Sequence, residues 1–269
     1  MSDGGSLRSR FADLHREGTF LMPNAWDVGS ARLLESLGFE AIATTSSGFA
    51  ATLGRHDQHV SLSELVDHVA ALCSAVSIPV SVDAEDGYAD DAAGLVATVE
   101  ALAKAGASGI SIEDYRPGHG LVEIAAATER VGVYVEAANG HGLTVTARSE
   151  NHLYGVDDLD DTIERLRSYA AAGAHAVYAP GLVTIARLQQ VVKETARPVN
   201  ALLLPVGPTV AEMREIGVRR LSTGGALAFV AYGAASRAAR ELQTHGTQTY
   251  VTDALSGDER ERAFGNRTD

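Results

Sequence analysis

The sequence has almost no cysteine, no long apolar run and little positive charge, and each shortage excludes a class of protein. Cys73 is the only cysteine in 269 residues, so no disulfide can form within one chain. No segment approaches the roughly 18 apolar residues that cross a bilayer, and the first residues lack a signal peptide's apolar core. The net charge of -13 disfavours nucleic-acid and anionic-membrane partners. We therefore expect a cytoplasmic protein without nucleic-acid or membrane partners.

What the sequence does contain is a recurring junction between a helix and a strand. An alanine- or leucine-rich helical stretch ends at a glycine, and a short apolar run follows at once. Four glycines mark such junctions: Gly38, Gly106, Gly173 and Gly217. With further apolar runs, the predicted strands begin near residues 19, 40, 79, 109, 143, 175, 198 and 219. This alternation predicts one α/β domain, a (β/α)8 barrel of the TIM type.

An open, doubly wound sheet is the alternative, but no G-x-G-x-x-G follows the first predicted strand. Residues 1–245 are predicted to form the barrel. The polar segment 246–269 is predicted to be a tail, either mobile or docked on a neighbouring subunit. Two helix starts have the spacing of a capping box: Ser61-x-x-Glu64 and Thr209-x-x-Glu212.

Acidic residues follow the third and fourth predicted strands. Asp83 and Glu85 share one face, and Glu113 ends the neighbouring strand. Adjacent strands lie roughly 4.8 Å apart, so these carboxylates are expected to converge, and they cannot all stay ionised unaided. Mg²⁺ prefers oxygen ligands and keeps several waters, so a few carboxylates suffice to bind it. The alternative role, as helix caps, suits Asp86 and Asp90 better than residues that end buried runs.

Other polar residues follow the second, fifth and seventh predicted strands. The second strand is followed by Ser46, Ser47 and Gly48, a loop whose hydroxyls and backbone can approach a ligand closely. Asp57 follows this loop. The same pattern also suits a plain turn closed by an aspartate cap. Arg148 ends an apolar strand and needs an anionic partner, either an acid of the cluster or a substrate carboxylate. Asn200 either contacts a ligand or satisfies backbone groups.

Six segments carry a family resemblance, in order and over most of residues 20–225. They are "PNAWDVGSARLLESLGFEAIATTSSG", "LGRHD", "PVSVDAEDGY", "GISIED", "TARSENHL" and "AGAHAVYAPG". With them, the chain resembles the isocitrate lyase/phosphoenolpyruvate mutase superfamily. The resemblance implies a barrel whose C-terminal helix is exchanged between subunits of a homodimer or homotetramer. It also implies Mg²⁺ or Mn²⁺, and a 2-oxo or 2-hydroxy acid substrate that is cleaved to a stabilised enolate.

The resemblance assigns roles by position. The carboxylates on the metal side would be Asp57, Asp83, Glu85 and Glu113. The loop that cradles the substrate's oxygens would be Ser47, Gly48 and Phe49, beside Ser46. Arg148 matches the arginine that binds the substrate.

Two departures separate this chain from the better-known members. The family commonly has Asp-x-Asp where this chain has Asp83 and Glu85. The loop after Glu113, "DYRPGHGLVEIAAATERV", lacks the cysteine motif of the lyases and the lysine and asparagine of the mutases. His119 remains in that loop, either as a mobile acid/base or as a bare surface histidine. Cys73 cannot substitute, because it lies within an apolar helix. Cleavage of isocitrate or methylisocitrate is therefore not expected, and neither is a close copy of the mutase. The chain resembles a phosphonomutase-like subgroup that lacks the cysteine motif of the lyases.

These observations predict a Mg²⁺-dependent lyase that cleaves a C–C bond beside the chelated oxygen of an oxaloacetate- or alkylmalate-like acid. The second interpretation is C–P chemistry on phosphonopyruvate or phosphoenolpyruvate, with Arg55, Arg116 and Arg148 as positive groups. The third is a barrel that binds metal and ligand without turnover.

Overall fold

The computed structural model describes residues 4–265, and a parallel sheet rolled into a barrel forms its centre. The strands of the barrel are β1 Phe20–Met22, β2 Asn24–Ala25, β3 Ile42–Thr44, β4 Val80–Val82, β5 Gly109–Glu113, β8 Thr144–Arg148, β9 Ala176–Tyr178, β10 Val199–Leu202 and β11 Arg220–Ser222. A separate antiparallel hairpin follows β5 and consists of β6 Tyr115–Arg116 and β7 Gly120–Leu121.

The first barrel strand is divided at Pro23, and this division closes the barrel. The part before Pro23, β1, pairs with the last strand β11, whereas β2 pairs with β3. Proline lacks an N–H, so the ladder is interrupted at this position. The side chain of Asn24 compensates, because its Oδ1 accepts hydrogen bonds from the N–H groups of Thr223 and Gly224. The predicted (β/α)8 barrel is confirmed, with its first strand in two pieces.

Helices surround the sheet. They are α1 Gly4–Leu14, α2 Val28–Ser36, α3 Ser46–Thr52, α4 Leu62–Ala75, α5 Ala92–Lys104, α6 Ile124–Asn139, α7 Leu159–Ala171, α8 Ile185–Glu194, α9 Val210–Glu215, α10 Ala226–His245 and α11 Gly257–Phe264. Both predicted capping boxes are present, at the starts of α4 and α9. The four junction glycines all have left-handed φ angles, between 86° and 105°, as their position after a helix requires.

The main hydrophobic core lies between the barrel and the helices, and α1 covers the lower end of the barrel. Phe11 of α1 is fully buried and occupies the space that a side chain on Gly109 would need. Arg8 ties the same helix down through the carbonyl oxygens of Ala103 and Ala107. Cys73 packs against this core, and burial raises the pKa of its thiol to about 12, so it is a structural thiol.

The helix after the last barrel strand, α10, is almost entirely exposed, unlike a helix that packs against the barrel. Only Ala228 is buried among the residues of α10, a helix of 20 residues. A short 3₁₀ turn, Thr249–Asp253, then leads to α11, which packs on α2 of the same chain. The end of the predicted tail, 266–269, lies outside the described residues, and the boundary at 245 stays a prediction. Within residues 4–265, every helix is too short or too polar to cross a membrane.

A buried histidine makes the stability of the fold sensitive to acid. The ring of His68 stacks on Phe49 with 3.8 Å between centroids, and burial lowers its pKa to about 4. In the unfolded chain this histidine is protonated below about pH 6.5, whereas in the folded chain it stays neutral down to about pH 4. The free energy of unfolding therefore decreases as the pH falls from about 6.5 towards 4. The slope for this group approaches about 1.4 kcal/mol per pH unit.

We expect the free energy of unfolding, measured in urea between pH 4 and 8, to fall less steeply with acid in His68→Phe than in the wild type. Phenylalanine keeps the stack and removes the titration. Parallel curves for the two proteins would contradict this assignment.

Candidate active site

A cavity of about 220 Å³ opens at the carboxyl ends of the barrel strands and continues down between them. Its polar lining includes Asp57, Asp83, Arg148, Asn200 and Arg220. Sites in barrels of this kind lie at the same end of the sheet. The volume is below the range of pockets that hold drug-sized molecules, so the cavity suits a small metabolite.

Arg148 is the centre of the charged groups in the cavity. Its guanidinium contacts Asp83 at 2.8 Å, Glu113 at 3.3 Å and Glu150 at 2.8 Å. Burial raises the pKa of Glu113 well above its usual value, and the positive charge of Arg148 opposes that shift. One cation therefore holds three nearly buried carboxylates together. The sequence analysis left two anionic partners open for Arg148, an acid of the cluster or a substrate carboxylate. The structure shows Arg148 paired with acids of the cluster.

Asp83 is held in a fixed orientation at the cavity wall. The backbone N–H of Ser46 donates to its Oδ2 at 3.2 Å, and its own N–H donates to the hydroxyl of Thr44 at 2.8 Å. A carboxylate fixed by its neighbours is pre-organised for a ligand. Asp57 lines the same cavity from the loop after α3, and loss of hydration raises its pKa above the usual value.

Glu85 lies behind the cavity lining, in a tight turn. Its φ angle is 45° and that of Tyr88 is 55°, a left-handed region that is costly for residues with side chains. The Tyr88 hydroxyl donates to Glu85 at 2.7 Å. Burial raises the pKa of Glu85 to about 7, a shift that this hydrogen bond opposes.

The three predicted metal ligands do not form a converging cluster. Within residues 4–265, no group of three Asp, Glu, His or Cys side chains is arranged to hold a metal ion. Asp83 and Glu113 meet at Arg148 instead of at each other, and Glu85 turns to Tyr88. The assignment of these residues to a metal stays a prediction.

The residues after β3 divide into two groups. Ser46 and Ser47 line the cavity. Gly48 is not among the lining residues; an added Cβ would come within 2.5 Å of Thr45 and 3.0 Å of Trp26, so only glycine fits there. The side chain of Phe49 points away and stacks on the buried His68.

Asn200 lines the cavity, and it is hydrogen-bonded to Arg220, a residue that the sequence analysis missed. Its Oδ1 accepts from Arg220 Nε at 2.8 Å, and its Nδ2 donates to Ser222. Arg220 is 4% exposed and lines the lower end of the cavity. The signal was present, because Arg220 and Ser222 share one face of the eighth predicted strand under period-two alternation.

His119 lies apart from this cavity. It belongs to the β6–β7 hairpin and lines a separate surface groove with Arg116, Asp90 and Glu129. The hairpin nevertheless borders the active-site end of the barrel. Tyr115 stacks on Tyr154 with 3.4 Å between ring centroids, and the hydroxyl of Tyr154 accepts from Gln58, the residue after Asp57.

A second layer of polar contacts fixes Glu150, which the sequence analysis also missed. The N–H of Glu150 donates to Asp114 at 2.8 Å, and the other oxygen of Asp114 accepts from Tyr169 and Arg165. These groups are nearly buried and join β5, β8 and α7 beneath Arg148. The network positions the segment that carries the central arginine.

A barrel with a small, charged cavity at the carboxyl ends of its strands defines the class of barrel enzymes that act on small polar substrates. The chain belongs to the phosphoenolpyruvate phosphomutase family, whose model matches residues 11–243. It is thereby a member of the isocitrate lyase/phosphoenolpyruvate mutase superfamily, a group of lyases and mutases, and the predicted resemblance is confirmed.

Similar proteins cover nearly the whole chain. A crystal structure of a lyase/mutase-type protein from Burkholderia cenocepacia J2315 is 40% identical, has a TM-score of 0.93 and matches 98% of this chain and 97% of its own. The 2-methylisocitrate lyase of Escherichia coli K12 is 27% identical over 262 residues, which are 91% of this chain and 86% of that protein. The oxaloacetate decarboxylase of Bradyrhizobium sp. BTAi1 is 29% identical over 241 residues, 86% and 76% of the two chains.

Proposed function

We propose that the protein is a Mg²⁺-dependent enzyme that cleaves a C–C bond next to the 2-oxo or 2-hydroxy group of a small carboxylic acid, with oxaloacetate- or alkylmalate-like acids as substrates. One observation carries the proposal: Asp57, Asp83 and Arg148 line one small cavity at the end of the barrel where such sites lie. The oxaloacetate decarboxylase among the similar proteins supports the substrate class.

The chemistry of the donor groups fits magnesium. The side chains that line the cavity include carboxylates and hydroxyls, and among the described lining residues there is no cysteine or histidine. Hard oxygen donors of this kind suit Mg²⁺, which keeps several waters and needs only one or two protein carboxylates. Asp83 and Asp57 would hold the ion, with Glu85 and Glu113 behind them. When bound, Mg²⁺ supplies a Lewis acid that stabilises negative charge on an enolate oxygen.

The chain's own groups bind and orient the substrate. Arg148 keeps Asp83 in place and offsets the repulsion between the surrounding carboxylates. Tyr178 lies over the guanidinium of Arg148 at 5.2 Å, and burial raises the pKa of its hydroxyl to about 12. The phenol therefore keeps its proton at neutral pH, and because Tyr178 lines the cavity, its hydroxyl would donate a hydrogen bond to a substrate oxygen. Ser46 and Ser47 face the same space.

The lining also favours a type of cleavage. No cysteine, lysine or histidine side chain is found among the described residues that line the cavity. The cavity therefore offers no thiol that could protonate a carbanionic leaving group, as lyases with a catalytic cysteine require. Loss of CO₂ from the C4 carboxyl of an oxaloacetate-like acid, which is β to the 2-oxo group, leaves an enolate that water can protonate, and hydrolysis of the C2–C3 bond likewise draws on water. We therefore place decarboxylation or hydrolysis ahead of aldol-type cleavage.

The C–P alternative rests on the family model, but its expected positive groups are engaged elsewhere. Arg55 pairs with Glu64, and Arg116 pairs with Asp86, and neither arginine lines the cavity. Arg148 is surrounded by carboxylates. A phosphonate dianion would thus meet few free cations near the mouth of the cavity.

The test is a ¹H and ³¹P NMR screen of the purified protein with Mg²⁺ against oxaloacetate, substituted malates, phosphonopyruvate and phosphoenolpyruvate. We expect turnover of oxaloacetate or an alkylmalate above the rate with Mg²⁺ alone. Exclusive turnover of the phosphorus compounds would establish the C–P alternative. Binding of these acids without turnover of any would establish the binding barrel.

We also propose that the chain forms a homodimer or homotetramer through α10. Phe229, Val230 and Tyr232 of this helix are exposed, and Leu21 on the outer face of β1 is 37% exposed where a barrel strand is normally covered. Exposed apolar surface of this extent marks an interface between proteins. A second copy of the chain is the occupant that the superfamily assignment supports.

Light scattering coupled to size-exclusion chromatography is expected to show a dimer or tetramer for the wild type and a smaller species for Val230→Lys. Val206→Lys is the matched control, because Val206 is an even more exposed valine, 83% against 65% for Val230, and lies outside α10. A monomeric wild type, or an unchanged assembly in Val230→Lys, would remove the support for this interface.

A further inference from the structure

The inner side of the barrel is unusually polar. Interiors of such barrels are normally filled by valine, isoleucine and leucine. Here the inward positions below the mouth include Ser81, Ser111, Thr146, Asn200 and Ser222, and all five line the cavity. Because these side chains are small, the cavity reaches past the level of Asp83 and Arg148. It ends at Arg220.

Arg220 is a buried cation whose neighbours are neutral. Its Nε donates to Asn200, its Nη2 donates to Thr146 at 2.9 Å, and its Nη1 lies 3.3 Å from Nε2 of His15. Over the described range 4–265, no carboxylate pairs with it, unlike Arg148 with its three. A guanidinium has five N–H groups, so these three contacts leave two N–H groups for a further acceptor.

His15 does not neutralise this charge. It lies beneath the barrel on the segment after α1, and its Nδ1 is bonded to the carbonyl oxygen of Phe11, which leaves Nε2 as the acceptor for Arg220. Burial lowers the pKa of His15 to about 3 and that of Arg220 to about 10. Burial is the main cause of both shifts, and the positive charge of Arg220 adds to the shift of His15. Burial of an unpaired cation is costly, so a retained one calls for an anionic partner.

We infer that Arg220 binds the distal carboxylate of the substrate at the inner end of the cavity and so selects dicarboxylic over monocarboxylic 2-oxo or 2-hydroxy acids. This inference rests on the proposed function, which places the 2-oxo or 2-hydroxy group of the substrate, and with it the C2–C3 bond that hydrolysis breaks, near Asp83. Thr146, which Arg220 contacts, precedes Arg148 by two residues on β8, or roughly 6.6 Å along the strand. That depth suits a four- or five-carbon diacid.

A carboxylate is a better match than a phosphonate. The inner end offers one guanidinium and neutral amide and hydroxyl groups, which balance a single negative charge. A doubly charged phosphonate would leave one charge uncompensated in a buried place. A guanidinium binds a planar carboxylate through two parallel hydrogen bonds, and two N–H groups remain for that purpose.

The test compares two stable acids that differ by the distal carboxylate, malate and lactate, by titration calorimetry with saturating Mg²⁺. We expect the wild type to bind malate at least tenfold more tightly than lactate. Arg220→Gln should weaken malate binding by roughly 10- to 100-fold, the range for a charge-assisted hydrogen bond, and leave lactate binding within about twofold. An equal loss for both acids would show a structural role and overturn the inference.

A second variant keeps the test valid if Arg220→Gln does not fold. Asn200→Asp retains the acceptor for Arg220 and adds a negative charge beside it, so it should weaken malate binding selectively. Equal wild-type affinity for malate and lactate would overturn the role of Arg220 while leaving the proposed function intact. Binding of neither acid would overturn both. Tighter, Arg220-dependent binding of 3-phosphonolactate than of malate would overturn the choice of a carboxylate.

Discussion

Asp83→Asn is expected to abolish catalysis, with a loss of at least about a thousandfold in kcat/KM for oxaloacetate or whichever acid is turned over. The asparagine keeps the size of the side chain and one acceptor for Ser46, but it removes the charge that faces the cavity. The loss should appear in two measurements. Turnover followed by NMR should fall to the rate without protein, and Mn²⁺ binding followed by electron paramagnetic resonance should weaken at least tenfold.

Asp90→Asn is the control for this variant. Asp90 is exposed, pairs with Arg116 and lies outside the active-site cavity. The same loss of one negative charge at that position should leave turnover and Mn²⁺ binding within about twofold of the wild type, as is usual for surface changes. Full activity of Asp83→Asn would show that the carboxylate is dispensable and would remove the basis of the proposed metal site.

Arg148→Met is expected to have the largest effect on stability. The methionine fills part of the space but leaves Asp83, Glu113 and Glu150 without their shared cation. Removal of one partner from a buried ion pair costs about 3–5 kcal/mol, because the remaining charge stays buried and uncompensated. We therefore expect urea unfolding at pH 8 to show a loss of this size, with no detectable turnover.

The loss should depend on pH in a definite direction. Without Arg148, the pKa values of Glu113 and Glu150, which burial already raises, rise further, so the variant's native state takes up protons as the pH falls. The difference in unfolding free energy between wild type and Arg148→Met should therefore shrink between pH 8 and pH 5. Arg167→Met, which removes an exposed arginine paired with Glu194, serves as the control and should cost less than about 1 kcal/mol. A difference that grows with acid would contradict the charge argument.

The strand positions could be read from the sequence because they depend on local chemistry. Four of the eight predicted strands follow a glycine that ends a helix, and the others are marked by short apolar runs alone. Each predicted start lies within two residues of the observed one. The split of the first strand at Pro23 was not predicted. It depends on the closure of the sheet, which brings Asn24 to Thr223.

The site was predicted only as far as strand ends determine it. Asp83 and Arg148 were placed in one region because adjacent parallel strands end together. Which carboxylates meet the guanidinium depends on side-chain directions that a sequence does not specify, and Glu150 was therefore missed. Glu85 was expected beside Asp83, but the left-handed turn at 85–88 moves it behind the wall. His119 was considered because its loop follows Glu113, whereas the hairpin carries it to another groove.

The closure of the barrel through Asn24 has a consequence for synthesis on the ribosome. The partners of Asn24 are the N–H groups of Thr223 and Gly224, 199 and 200 positions later in the chain. At 5–20 residues per second, the first strand waits about 10–40 s for the last one to be made. During that time the nascent sheet has two open edges that can pair with other chains. Productive folding of this protein therefore depends on protection of those edges until translation is almost complete.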